Sequence, residues 1–151
     1  TSIYNQEAHF ETMKEILRDL PDVDYIICGI GSAGTISGLS RYIKEHNLNI
    51  KVIGIEPDES PIITKGIKGE HAIQGIGAGF IPPLLNLDNI YKIVCVKSED
   101  VLEEFKIKKE ISLGLSSCAC YLVGKDLLAQ EPDKKILIIV ADGIDRYGGV
   151  N

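Results

Sequence analysis

A chain of 151 residues with 44% hydrophobic content has the size of one ordinary domain and enough apolar side chains for a core. Its formal net charge of −6 argues against nucleic acid as a partner, because binding phosphate backbones normally needs a basic face. The cleanest apolar run, Ile136 to Ala141, falls far short of the roughly 18 residues of a membrane span, so no membrane partner is expected.

The chain opens with TSIYNQEAHF, which has neither a basic segment nor an apolar one, so no signal peptide is expected. It starts at Thr1 rather than Met, and we expect a processed or excised piece of something longer. Residues 7–20 place Phe10, Met13, Ile16, Leu17 and Leu20 at helical spacing, closed by Pro21 and Asp22. Val23 to Cys28 reads as a strand that is apolar on both faces. A glycine-rich turn follows, Gly29-Ile30-Gly31-Ser32-Ala33-Gly34-Thr35, and then a helix from Thr35 to Asn47 with Leu39, Tyr42 and Ile43 on one side. Lys51 to Glu56 reads as a second strand, stopped by Pro57.

Residues 58–90 form a long run of Gly, Pro and short apolar pieces, and a loop of that length in a compact domain is usually functional. Ile90 to Val96 reads as a third strand. Ser98 has the character of a helix N-cap, with Glu99 and Asp100 in the first turn and Val101, Leu102 and Phe105 on the inner face. The Lys106 to Glu110 run reads as a solvated helix face. Ser116 to Leu128 is a further helix, and Lys135 to Val140 a last buried strand that runs into Asp142-Gly143. Strands apolar on both faces, separated by helices, predict a parallel sheet covered on two sides: one three-layer α/β/α domain over residues 1–151, with no repeat or linker.

The four cysteines are Cys28, Cys95, Cys118 and Cys120. Cys28 and Cys95 sit in apolar runs, and Cys118-x-Cys120 lacks zinc spacing and a second ligand pair. No disulfide and no metal site are expected, and a reduced, cytoplasmic setting fits best. His9, His46 and His71 show no partner spacing and read as exposed.

The turn after the first strand spells G-x-G-x-x-G in a strand-to-helix context. Glu56 lies about twenty positions on, where a dinucleotide fold would place its ribose-binding acid. The same turn suits a lone phosphate at a helix N-terminus, or glycines that only let helix and strand pack. Spacing alone leaves these open.

Two further glycine or serine turns stand near predicted strand ends, in IQGIGAGFIP and LGLSSCA. Taken in order, the motifs are Gly31-Ser32-Ala33-Gly34-Thr35, then Val52-Ile53-Gly54-Ile55-Glu56-Pro57, then Gln74-Gly75-Ile76-Gly77-Ala78-Gly79-Phe80-Ile81-Pro82, then Gly114-Leu115-Ser116-Ser117-Cys118-Ala119. This series resembles the C-terminal part of the cysteine synthase (O-acetylserine sulfhydrylase) and cystathionine β-synthase family, fold type II pyridoxal-phosphate enzymes. The third motif is very specific, and the first alone is weak.

The resemblance implies a phosphate cradle for pyridoxal 5′-phosphate at Gly31, Ser32, Ala33, Gly34 and Thr35, and Ser116 against the pyridine nitrogen. Gln74, Gly75, Ile76, Gly77, Ala78 and Gly79 become a loop flanking the amino-acid substrate. Glu56 is left with a structural role. The activity implied is β-replacement, making L-cysteine from O-acetyl-L-serine and sulfide, in a homodimer that can take serine acetyltransferase as partner. Two family motifs are absent: the one like S-x-K-D-R, whose lysine forms the Schiff base, and the substrate-gripping one like T-S-G-N-T. Lys125-Asp126 stands mid-helix in the wrong context, so no catalytic residue is assigned and the chain alone is expected to be inactive. Ala33, Cys118 and the terminal ADGIDRYGG depart from the family pattern. They leave room for a related cystathionine or 2,3-diaminopropionate synthase. An NAD-dependent oxidoreductase and a non-catalytic binding module are the other readings.

Overall fold

The computed structural model describes residues 3–30, 34–71, 73, 76, 86–107 and 115–139. Their order is α1 (Ile3–Asp19), β1 (Tyr25–Gly29), α2 (Gly34–Glu45), β2 (Lys51–Pro57) and α3 (Ile62–Lys65). A 3-10 turn (Leu87–Asn89), β3 (Lys92–Val96), α4 (Ser98–Ile107), α5 (Leu115–Gln130) and β4 (Ile136–Ile138) complete it. The four strands form one sheet in the order β3-β2-β1-β4, and every pairing is parallel. No helix among the described residues is long and apolar enough to cross a membrane.

The three layers arise from alternation along the central strands. Ile27 in β1 and Ile53 and Ile55 in β2 face one core, with Val101 of α4 and Cys118, Ala119, Cys120, Val123 and Leu127 of α5. Ile26, Cys28 and Val52 face the other, with Met13 of α1 and Ile36, Leu39, Tyr42 and Ile43 of α2. A strand whose successive side chains enter opposite cores is apolar throughout, as β1 and β2 are.

The edges of the sheet differ from the expected buried strands. Among the described residues β4 pairs with β1 alone, and it is half-buried along its length, as is most of β3. The inner face of α4 is also different: Val101 is buried, but Leu102 is exposed and Glu104 takes its place inside, with Lys125 Nζ 3.6 Å from its carboxylate. Successive helical residues turn by about 100°, so 101, 104 and 105 share a side that 102 leaves. Ser98 is the first residue of α4 itself, and its hydroxyl donates to the carboxylate of Glu59 at 2.7 Å.

Candidate functional site

In a parallel sheet all carboxyl ends lie along one edge, and ligands bind beyond it. β1 leaves the sheet at Gly29, its ladder extended by the Ile30 amide donating to the Ile55 carbonyl at 3.0 Å. α2 begins only five residues later, at Gly34. The first turn of α2 therefore presents the amino end of the helix, with its positive dipole end, at this edge, and Thr35 there is half-buried. α5 returns the chain to the amino end of β4, so its own start, at Leu115 and Ser116, lies at the same edge as Gly34. Neither α2 nor α5 has an acidic residue in its first turn, so neither helix start itself opposes an anion.

Of the residues proposed from sequence, Gly34, Thr35, Ile76 and Ser116 are described. Gly31, Ser32, Ala33, Gln74, Gly75, Gly77, Ala78 and Gly79 lie outside the described residues. What is described draws the three motifs together. Ile76 is buried in one cluster with Cys118, Ala119 and Cys120. It also rests on the end of β1, where a Cβ built on Gly29 would lie 2.5 Å from Ile76 Cγ2. The backbone of Gly29 is hydrogen-bonded to Cys120, whose thiol burial pushes up to about 12, so it stays protonated and unreactive. All four cysteines are thiols; Cys28, Cys118 and Cys120 are buried and Cys95 half-buried.

Gly29→Ala tests this junction. The added methyl collides with a β-branched side chain that cannot swing away, so the substitution is expected to cost about 1–3 kcal/mol. Denaturant unfolding reads it, and an unchanged midpoint would show that Ile76 does not rest on Gly29.

Sequence reasoning missed Ser117. Its Oγ is buried and has no hydrogen-bond partner among the described residues. A hydroxyl left so, one position after Ser116 at the start of a helix, is a group a bound ligand could satisfy. Together with Thr35, Ser116 and two helix starts free of acid, it fits a ligand carrying a phosphate and a polar ring. The only signal for it was its place in the Gly114 to Ala119 motif.

Glu56 is fully committed elsewhere. Its carboxylate, 1% exposed, accepts from the Ile63 amide at 3.0 Å, the Thr64 amide at 2.9 Å and the Thr64 hydroxyl at 2.7 Å. An acid spent on the backbone of α3 is not available to a ribose, which weighs against the dinucleotide reading. The histidines divide. His46 is exposed and stacks on Tyr42 with ring centroids 3.9 Å apart. His71, expected to be exposed, is half-buried, and its Nδ1 accepts from the Ile73 amide at 3.1 Å because the chain turns back toward the core there. His9 is in α1, and its side chain lies outside what is described.

Comparison with known proteins places this arrangement. A family model described as pyridoxal-phosphate dependent enzyme matches residues 1–142. Cysteine synthase B of Campylobacter jejuni is 40% identical over 150 residues, covering 97% of this chain and 50% of that protein. The structure of O-acetyl serine sulfhydrylase isoform 3 from Entamoeba histolytica superposes with a TM-score of 0.87 at 32% identity, over 97% of this chain and 45% of that one. That of the O-acetylserine dependent cystathionine beta-synthase from Helicobacter pylori gives 0.80 at 33% identity, over 95% and 48%. The chain thus spans about half the length of the relatives it matches. Matched along nearly its whole length, and with the same parallel sheet, the chain belongs to the pyridoxal-phosphate dependent enzyme family.

Proposed function

We propose that this chain is the phosphate- and ring-binding part of a pyridoxal-phosphate dependent enzyme that makes L-cysteine from O-acetyl-L-serine and sulfide. The observation that carries the reading is the 40% identity to a cysteine synthase across 97% of the chain. The convergence of Gly29, Ile76 and the start of α5 supports it. When bound, the cofactor supplies an electron sink for eliminating and replacing the substrate's β-substituent. The chain's own groups bind and orient. The first turn of α2, with Gly34 and Thr35, holds the phosphate through amides, a hydroxyl and the helix dipole. Ser116 meets the ring nitrogen with a hydroxyl, which, unlike a carboxylate, does not keep that nitrogen protonated. Ile76, a member of the substrate loop in this reading, rests against the end of β1.

The lysine that bonds the cofactor, and the loop that grips the substrate carboxylate, belong in this reading to a part of the enzyme outside this sequence. A homodimer, a cytoplasmic location and docking of serine acetyltransferase go with the same proposal. A cystathionine-forming activity is the second reading, favoured by the Helicobacter pylori structure.

The test compares the 151-residue chain with the full-length protein that carries it. Phosphate held at a helix N-terminus, without a covalent bond, leaves affinity in roughly the millimolar range. The chain alone should stay colourless, form no cysteine, and yield no stoichiometric lysine adduct on borohydride reduction with pyridoxal phosphate. The full-length protein should retain the cofactor and form cysteine from O-acetylserine and sulfide; faster turnover with homocysteine would select the second reading. A site-specific adduct and cysteine formation by the chain alone would overturn the division of labour. Stabilisation of the full-length protein by NAD without retention of pyridoxal phosphate would overturn the proposal as a whole.

A further inference from the structure

Helix α5 lies against the end of β1 in a fixed register. A Cβ built on Gly124 would lie 3.5 Å from Ile27 Cδ1, and one turn earlier Cys120 is hydrogen-bonded to the backbone of Gly29, the last residue of β1. Going back along the helix from Gly124 to Cys120 thus matches going forward along the strand from Ile27 to Gly29, about 6 Å in each case. Ser117 precedes Cys120 by three residues on the same face, about 4.5 Å further in that direction. Its side chain therefore stands past Gly29, beyond the carboxyl end of β1, on the side where α2 begins at Gly34.

Ser117 is 1% exposed, and its Oγ has no hydrogen-bond partner among the described residues. The residues that follow it, Cys118, Ala119 and Cys120, share an apolar cluster with Ile76 and offer its proton no oxygen acceptor from their side chains. Helix starts present amide donors rather than acceptors, and neither α2 nor α5 has an acid in its first turn. A buried hydroxyl in such surroundings lacks an acceptor, and burying it unpaired is costly. Ser116 is placed differently: successive helical residues turn by about 100°, and Ser116 is half-buried where Ser117 is buried.

We propose that Ser117 Oγ donates to the anion held at the start of α2, as a second hydroxyl on that anion alongside Thr35. Taking the anion to be the phosphate of pyridoxal phosphate rests on the function proposed above; the buried hydroxyl and its position do not. Phosphate oxygens are strong acceptors, so the hydroxyl is satisfied when the phosphate is bound and orphaned when it is not. The ring nitrogen is left to Ser116.

Affinities of the cofactor-free full-length protein for three probes test this: pyridoxal phosphate, pyridoxal and inorganic phosphate. In Ser117→Ala, affinity for pyridoxal phosphate and for inorganic phosphate should fall about ten- to a hundredfold, the range for a hydrogen bond to a charged group. Affinity for pyridoxal, which has no phosphate, should stay the same. The unfolding midpoint of the cofactor-free variant should hold or rise, because the methyl replaces a buried donor that had nothing to bind. Ser117→Cys, which keeps the shape but donates only weakly, should lose nearly as much phosphate affinity. Unchanged affinity for both phosphate probes would overturn the proposal. So would an equal loss for pyridoxal and pyridoxal phosphate, which would put the hydroxyl at the ring. A lowered midpoint with phosphate affinity retained would overturn it as well, by showing the hydroxyl bonded inside the fold. The cysteine-forming reading fails differently: the unmodified protein would then retain no pyridoxal phosphate, while inorganic phosphate would still report on Ser117.

Discussion

Thr35→Asp is expected to abolish pyridoxal phosphate binding while leaving the fold intact or slightly more stable. Thr35 is half-buried in the first turn of α2, a helix with no acidic residue there. A carboxylate at that position interacts favourably with the helix dipole, by about 0.3–1 kcal/mol. Toward a phosphate in the same place it acts in the opposite sense. Two like charges about 5 Å apart at an effective dielectric near 20 repel by roughly 3 kcal/mol, and a phosphate monoester carries more than one charge. Affinity should fall a hundredfold or more, read by cofactor titration of the full-length protein, while the unfolding midpoint holds or rises. Thr35→Ser, which keeps the hydroxyl, should bind nearly normally. If Thr35→Asp binds as tightly as the unmodified protein, the phosphate is not at the start of α2.

The parts of the fold that were legible in the sequence are those whose environment is set locally. β1 and β2 enter two cores and are apolar at nearly every position, and the glycine turn between β1 and α2 marks its own boundaries. The sheet edges were not legible: Ile136, Leu137 and Ile138 are as apolar as Ile26 and Ile27, yet among the described residues they pair with β1 alone and are half-buried. On α4 Val101 and Phe105 face the core, but Leu102 is turned out by the helical period and Glu104, beside Lys125, is buried in its stead.

The site was legible as motifs rather than as chemistry. Spacing alone left a dinucleotide, a lone phosphate and a purely structural turn open, and the choice came from the second and third glycine or serine turns. What no pattern reported was how the pieces touch. Ile76 against Gly29 is a contact fixed by tertiary closure, and the local bond from the Ile73 amide to His71 is one that a lone histidine in a glycine-rich stretch gives no sign of. The same holds for α3, a four-residue helix too short to show a period.

That short helix is held from a distance, and Glu56→Gln is expected to show how strongly. α3 starts after Pro61 with no side-chain cap of its own. Its Ile63 and Thr64 amides, orphans of a first turn, instead donate to Glu56 at the end of β2, seven and eight residues earlier in the chain. Cys95 of β3 closes the other side, its Sγ 3.4 Å from Thr64 Oγ1. The carboxylate is buried and offers only acceptors to these donors. Glutamine matches its shape but turns one oxygen into an amino group, so one of the two backbone amides must face a donor. A charge-assisted bond is lost and a buried N–H is left unsatisfied, which should cost about 2–4 kcal/mol. For a chain of this size that lowers the unfolding temperature by roughly 5–15 °C. Thr64→Val, which removes only the hydroxyl, should cost about 1 kcal/mol. An unaltered unfolding temperature in Glu56→Gln would mean that α3 is held by other contacts, and would return Glu56 to the residues available to a ligand.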